Sequence, residues 1–115
     1  MLAKIERNLE TCIQEVEYMN ICFYQQKNNE GYQALNRVLE NVLSVIEELN
    51  YLSKEAIIEI DVNQINKILE TALYALEEKD YILFADIMQF ELVSNLKEVS
   101  LLLKKKNRVL QNRMQ

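Results

Sequence analysis

The sequence predicts an all-α protein: an antiparallel up-down four-helix bundle with a long C-terminal helix, formed by residues 1–115 as a single domain. Three observations lead there. Helix breakers are nearly absent, with one Gly and no Pro in 115 residues, whereas a β-protein needs many turns built from such residues. Half of the residues are hydrophobic and 27% are charged, which suits one packed core and not a disordered chain. Apolar residues recur at three- and four-residue spacing in four separate stretches, the period of an amphipathic helix.

The first helix is expected at about residues 2–26. Leu2, Ile5, Leu9, Cys12, Ile13, Val16, Met19 and Phe23 form its stripe. Asn20 lies inside that stripe, either as a buried device that fixes register or where the bundle opens. Residues 27–31, Lys-Asn-Asn-Glu-Gly, read as a loop because Asn and Gly tolerate left-handed backbone. A short loop between long helices implies antiparallel neighbours.

The second helix is expected at 32–56, with a broad stripe through Leu35, Val38, Leu39, Val42, Val45, Ile46, Leu49 and Leu52. A face that wide touches two neighbours. Residues 56–60 read as the helix end plus a connector. Asp61 with Gln64 is a capping pair that opens the third helix, at 61–78. Asp80 caps the fourth, at 81–113.

That last helix carries more apolar surface than closing a bundle requires. One face holds Phe84, Ala85, Met88, Leu92, Leu96, Val99, Leu102 and Leu103. A second holds Leu83, Ile87, Phe90 and Leu101, with Glu91 on its border. Either the chain's own helices cover the second face, or another chain does. Leu83, Ile87, Phe90, Leu101 and Glu91 are therefore the candidate partner-binding residues, for a protein partner or a second copy. Glu91 is expected to be half-buried among Phe84, Met88 and Phe90. Tyr51 and Tyr74, on polar faces, are further surface candidates.

Catalytic and cofactor signals are missing. With no histidine, Ser-His-Asp and Cys-His catalysis, the common zinc sites and the Glu-x-x-His motif of di-iron bundles are excluded. One glycine makes no phosphate-cradling loop. No catalytic residue, cofactor or metal is expected, although a carboxylate-only magnesium site stays formally open. If Cys12 and Cys22 share one helix they lie roughly 15 Å apart along it, too far for a disulfide, so free thiols and a reducing, cytoplasmic setting are expected. No apolar run approaches the length of a membrane span, and the start of the chain does not read as a signal peptide.

Charge is uneven. Residues 1–98 hold 8 Lys/Arg against 18 Asp/Glu, whereas residues 99–115 hold five basic residues and no acid. The basic end suggests nucleic acid or an anionic membrane as an alternative ligand, but the acidic body opposes it and no aromatic platform accompanies it. Cations at a helix C-terminus also have a plain role, meeting the negative end of the helix dipole. No nucleic-acid partner is expected.

The segment Ala75–Leu92 runs through Glu77-Glu78-Lys79-Asp80-Tyr81 at a corner, then Ala85-Asp86 on to Glu91-Leu92. It resembles a pattern in small helical-bundle proteins of Gram-positive bacteria. It is also similar to the last two helices of flagellin export chaperones. That likeness implies an acidic helical bundle that wraps a disordered partner segment, and the basic end departs from it.

Overall fold

A computed structural model describes residues 1–114. Among the described residues there are four helices and no strand. The first three are α1 (Leu2–Tyr24), α2 (Asn28–Lys54) and α3 (Val62–Glu77). The fourth has three consecutive sections: α4 (Tyr81–Asp86), a π-helical section (Ile87–Val93) and α5 (Ser94–Met114). The connections are short, so neighbours run antiparallel. α1 packs along α2 on one side and along every section of the fourth helix on the other. α3 packs on α4 and the π-helical section, and its contact with α2 closes the square. The result is a rod of 51 × 22 × 20 Å.

The α1–α2 corner is tighter than the sequence predicts. Only residues 25–27 lie outside the helices, and Gly31 sits within the first turn of α2. The glycine is there for proximity, not for turn geometry. A Cβ on it would lie 2.7–2.8 Å from the Phe23 ring, well inside contact distance. Phe23 is fully buried, stacked on Tyr81 and met edge-on by Tyr32 and Phe84. Such edge and offset contacts add to the stabilisation from apolar burial. This aromatic knot ties α1, α2 and α4 together at one end of the rod.

The left-handed backbone that ends the helices falls on residues other than glycine. Gln26, Ala56 and Lys79 have φ of 61°, 55° and 59°. Each is the residue after a helix cap, and each terminus is closed by the same pair of bonds. At the end of α2, for example, Ile57 N–H donates to Leu52 C=O and Ala56 N–H to Ser53 C=O. This is the Schellman arrangement, which glycine normally supplies. The second helix thus stops at Lys54, and Ile57, Ile58 and Ile60 form a connector packed against the core. The two caps expected from sequence are present: Asp61 Oδ1 accepts from Gln64 N–H at 3.2 Å, and Asp80 Oδ1 from Leu83 N–H at 3.1 Å.

The π-helical section has a sequence cause. Phe84, just before it, and Met88, in its first turn, face the core. Regular continuation of that frame would next bury positions 91, 95 and 98, which are Glu91, Asn95 and Glu98. Burying two carboxylates and an amide would cost several kcal/mol each unless all were paired. The stripe actually buried is Leu92, Leu96, Val99 and Leu103, one position further on, with Val93 and Ser100 buried at its edge. A π turn bonds i to i+5 and so absorbs one extra residue. It turns everything beyond it by about 100° about the helix axis relative to an unbroken helix. The sequence places its apolar stripe out of phase, and the bulge restores it to the core. Leu102, expected in that stripe, is consequently exposed.

Candidate functional site

The bulge also breaks up the second apolar face. Ile87 is buried, 6% exposed, within the core cluster, where α3 packs on the π-helical section. It therefore offers no surface to another molecule. Leu83, Phe90 and Leu101 remain exposed at 46%, 69% and 61%. The sequence puts them on one line only if the helix is regular, and the extra residue turns Leu101 away from Leu83 by about a quarter-turn. Phe90 and Leu101, eleven residues or about three turns apart, stay together on one flank. Glu91 is exposed, not half-buried as expected, because the frame shift keeps it outside. Tyr51 and Tyr74 are exposed, as their positions suggested.

Between α1 and α5 runs a groove of about 430 Å³, lined by Glu10, Ile13, Gln14, Glu17, Lys97, Ser100, Leu101 and Lys104. Its floor is Ile13 and the buried Ser100, and Leu101 stands on its α5 wall. Ion pairs cross it at two levels: Lys104 Nζ lies 3.0 Å from Glu10 and Lys97 Nζ 3.6 Å from Glu17. All four side chains are about a third or more exposed, so each pair contributes little to stability. Their effect is to arrange charge.

These pairs belong to a longer polar seam. Its α1 members are Glu6, Glu10, Glu17, Asn20 and Tyr24, spaced by three, four or seven residues, as one helix face requires. Asn107 Nδ2 donates to Glu6 at 3.5 Å, and Tyr24 O–H to Asp86 at 2.6 Å. Burial, and after it this bond to Asp86, pushes the Tyr24 phenol up to about 12. Asn20, fully buried, donates through Nδ2 to Gln89 Oε1 at 3.0 Å. Gln89 Nε2 in turn donates to Glu17 at 3.3 Å. Asn20 is thus buried and bonded across the bundle, and it engages the π-helical section itself. The sequence signalled it only through one Asn in an apolar stripe. The seam's partners on the fourth helix, Asp86, Gln89, Lys97, Lys104 and Asn107, carry no mark of this pairing in the sequence, where Lys104 reads only as part of the basic end.

Both thiols are free and buried. Burial, with Glu15 adding to it, pushes the Cys12 thiol from 9.0 up to about 12. A thiol harder to ionise folded than unfolded contributes fully below pH 9, and that contribution is lost as pH rises towards 12. From this group, stability is expected to fall by about 1.4 kcal/mol per pH unit in that window. Urea melts of wild type and Cys12→Ala between pH 8.5 and 10.5 check this: the wild type should lose more stability, and equal slopes would refute it.

Among the described residues, no three His, Cys, Asp or Glu side chains gather where they could hold a metal ion, and no helix is long and apolar enough to cross a membrane.

Fold and surface together define a small all-α bundle whose long last helix leaves large apolar side chains exposed beside a charged groove. The chain belongs to the family described as a domain of unknown function, DUF8042, whose model matches residues 1–101. The match includes the bulge and the groove as far as Leu101 and stops inside α5. No curated protein and no solved structure matches the chain.

Proposed function

We propose that this chain is a non-catalytic, cytoplasmic protein-interaction module, binding a partner helix or a second copy along the fourth-helix flank that carries Phe90 and Leu101. The exposure of Phe90, 69% in the middle of an ordered helix, is the observation that carries this reading. Covering Phe90 and Leu101 would contribute about 1.5–3 kcal/mol apiece before the costs of association. Aromatic anchors beside charged borders are typical of binding surfaces. The likeness of Ala75–Leu92 to flagellin export chaperones supports the same class of function, a helical bundle that holds another chain. The buried, reduced thiols suit a cytoplasmic setting.

The test compares wild type with Phe90→Asp/Leu101→Asp by quantitative affinity capture from the native cell. Both positions are exposed, so circular dichroism should show equal helicity. Capture of a specific protein, or of the chain itself, that the double variant loses is the expected result. Identical capture by both proteins would remove this flank as the binding surface.

A further inference from the structure

We propose that the occupant of the α1–α5 groove is a second copy of this chain, packed side by side and parallel about a two-fold axis along the rod. This rests on the reading of the Phe90–Leu101 flank as an interaction surface, and goes further in naming the occupant and its orientation.

The argument is the groove's charge pattern. Its α1 wall carries two acids, Glu10 and Glu17, and its α5 wall two cations, Lys97 and Lys104. Members of each pair are seven residues apart, two turns or about 10.5 Å. The cross-groove ion pairs set the two walls level: Lys104 stands beside Glu10, and Lys97 beside Glu17. The face therefore has one negative edge and one positive edge, at matching spacing, with the Ile13 and Ser100 floor between.

Such a face complements itself in one orientation. A two-fold axis parallel to the helices lays the α5 wall of each copy over the α1 wall of the other. Each lysine then meets an acid at its own level, twice over by symmetry. A two-fold axis across the helices lays acid on acid and lysine on lysine, which like-charge repulsion disfavours. In the parallel arrangement Leu101, 61% exposed, comes down towards Ile13 and Ser100 of the other copy, where the small serine leaves room. Phe90 lies further along the same flank. Apolar burial then supplies affinity, and the charged edges supply orientation.

Sedimentation equilibrium over a concentration series tests this on the full chain. Wild type should dimerise. Lys97→Glu/Lys104→Glu, with acids on both edges, and Glu10→Lys/Glu17→Lys, with lysines on both, should each dimerise at least about a hundredfold more weakly. An equimolar mixture of the two variants should recover a one-to-one heterodimer. The quadruple reversal, which restores the charge pairs within each chain, should dimerise as wild type does and so exposes any loss due to misfolding. Spin labels at Gln111→Cys should lie at the same end of the dimer. In an antiparallel pair they would be separated by about the length of the rod, 51 Å.

A wild type that stays monomeric overturns the proposal, as do variants that dimerise unchanged, a mixture that does not pair, or labels at opposite ends. A monomeric wild type whose capture of another protein still depends on Phe90 and Leu101 overturns only the second copy. Capture indifferent to those residues removes the underlying reading as well.

Discussion

Deletion of Phe90 is expected to leave the bundle folded, whereas deletion of Lys97, seven residues further on, is expected to unfold it. Both residues are exposed and both lie inside the fourth helix, so exposure and helix propensity do not separate them. The frame of the core stripe does. Without Phe90, the residues now at 92, 96, 99 and 103 take positions 91, 95, 98 and 102, and continue the frame of Phe84 and Met88 without interruption. The π turn has nothing left to absorb and closes into regular helix. No core side chain leaves its place, and stability should change by about 1 kcal/mol or less, the range of a surface substitution.

Lys97 lies beyond the bulge. Its removal turns Val99 and Leu103, 5% and 0% exposed, out of the core and brings Lys104 towards it. If the bulge closed instead, Val99 and Leu103 would stay in place, but Glu91 and Asn95 would be driven inward. Either outcome costs on the order of 5 kcal/mol, comparable to the whole stability of a small domain. The lost Lys97–Glu17 pair is a minor part of that. Circular dichroism and urea unfolding of the two variants decide the matter. Equal damage from both deletions would mean that the π turn does not arise from phase.

Glycine at the three left-handed helix ends is expected to raise stability by about 2 kcal/mol in total. A left-handed residue other than glycine costs roughly 1–2 kcal/mol, and glycine gives back part of this by its greater freedom in the unfolded chain. Gln26→Gly, Ala56→Gly and Lys79→Gly should thus each contribute about 0.5–1 kcal/mol. The triple variant should melt about 10 °C higher. Ala56 is the cleanest site, since no polar side chain is lost with it. Gln26 and Lys79 both line the small groove at the aromatic end, so those two are the pair most able to depart from additivity. Thermal melts of the single and triple variants provide the check; no gain at Ala56 would contradict the strain assigned to these ends.

The four helices were legible because each buries one stripe, and a stripe repeated over several turns leaves a period in the sequence. The caps at Asp61 and Asp80 were legible because their chemistry is local. The helix ends were expected at 26, 56 and 78, one or two residues beyond where they fall; the left-handed backbone at Gln26, Ala56 and Lys79 was not legible, because residues other than the usual Asn or Gly carry it. Gly31 misled for the converse reason: its purpose lies in the Phe23 ring, eight residues away in sequence and in contact in space.

The candidate face was half legible. Apolar excess on the fourth helix is visible in composition, and Leu83, Phe90 and Leu101 are exposed. Ile87 was placed with them by spacing alone, which does not reveal that α3 packs over that position. The sequence does hold the correcting signal: Phe84, Met88, Leu92 and Leu96 stand at intervals of four with no three between them. A 3.6-residue period cannot keep three such steps in succession on one narrow stripe. The groove charges were out of reach, because pairing across helices depends on register, and register depends on the bulge.

The π turn also bears on how relatives of this chain are compared. A member of the family one residue shorter near Gln89 and Phe90 would keep every core contact beyond that point. A gap in mid-helix, ordinarily the mark of a faulty alignment, would at this one place be structurally silent.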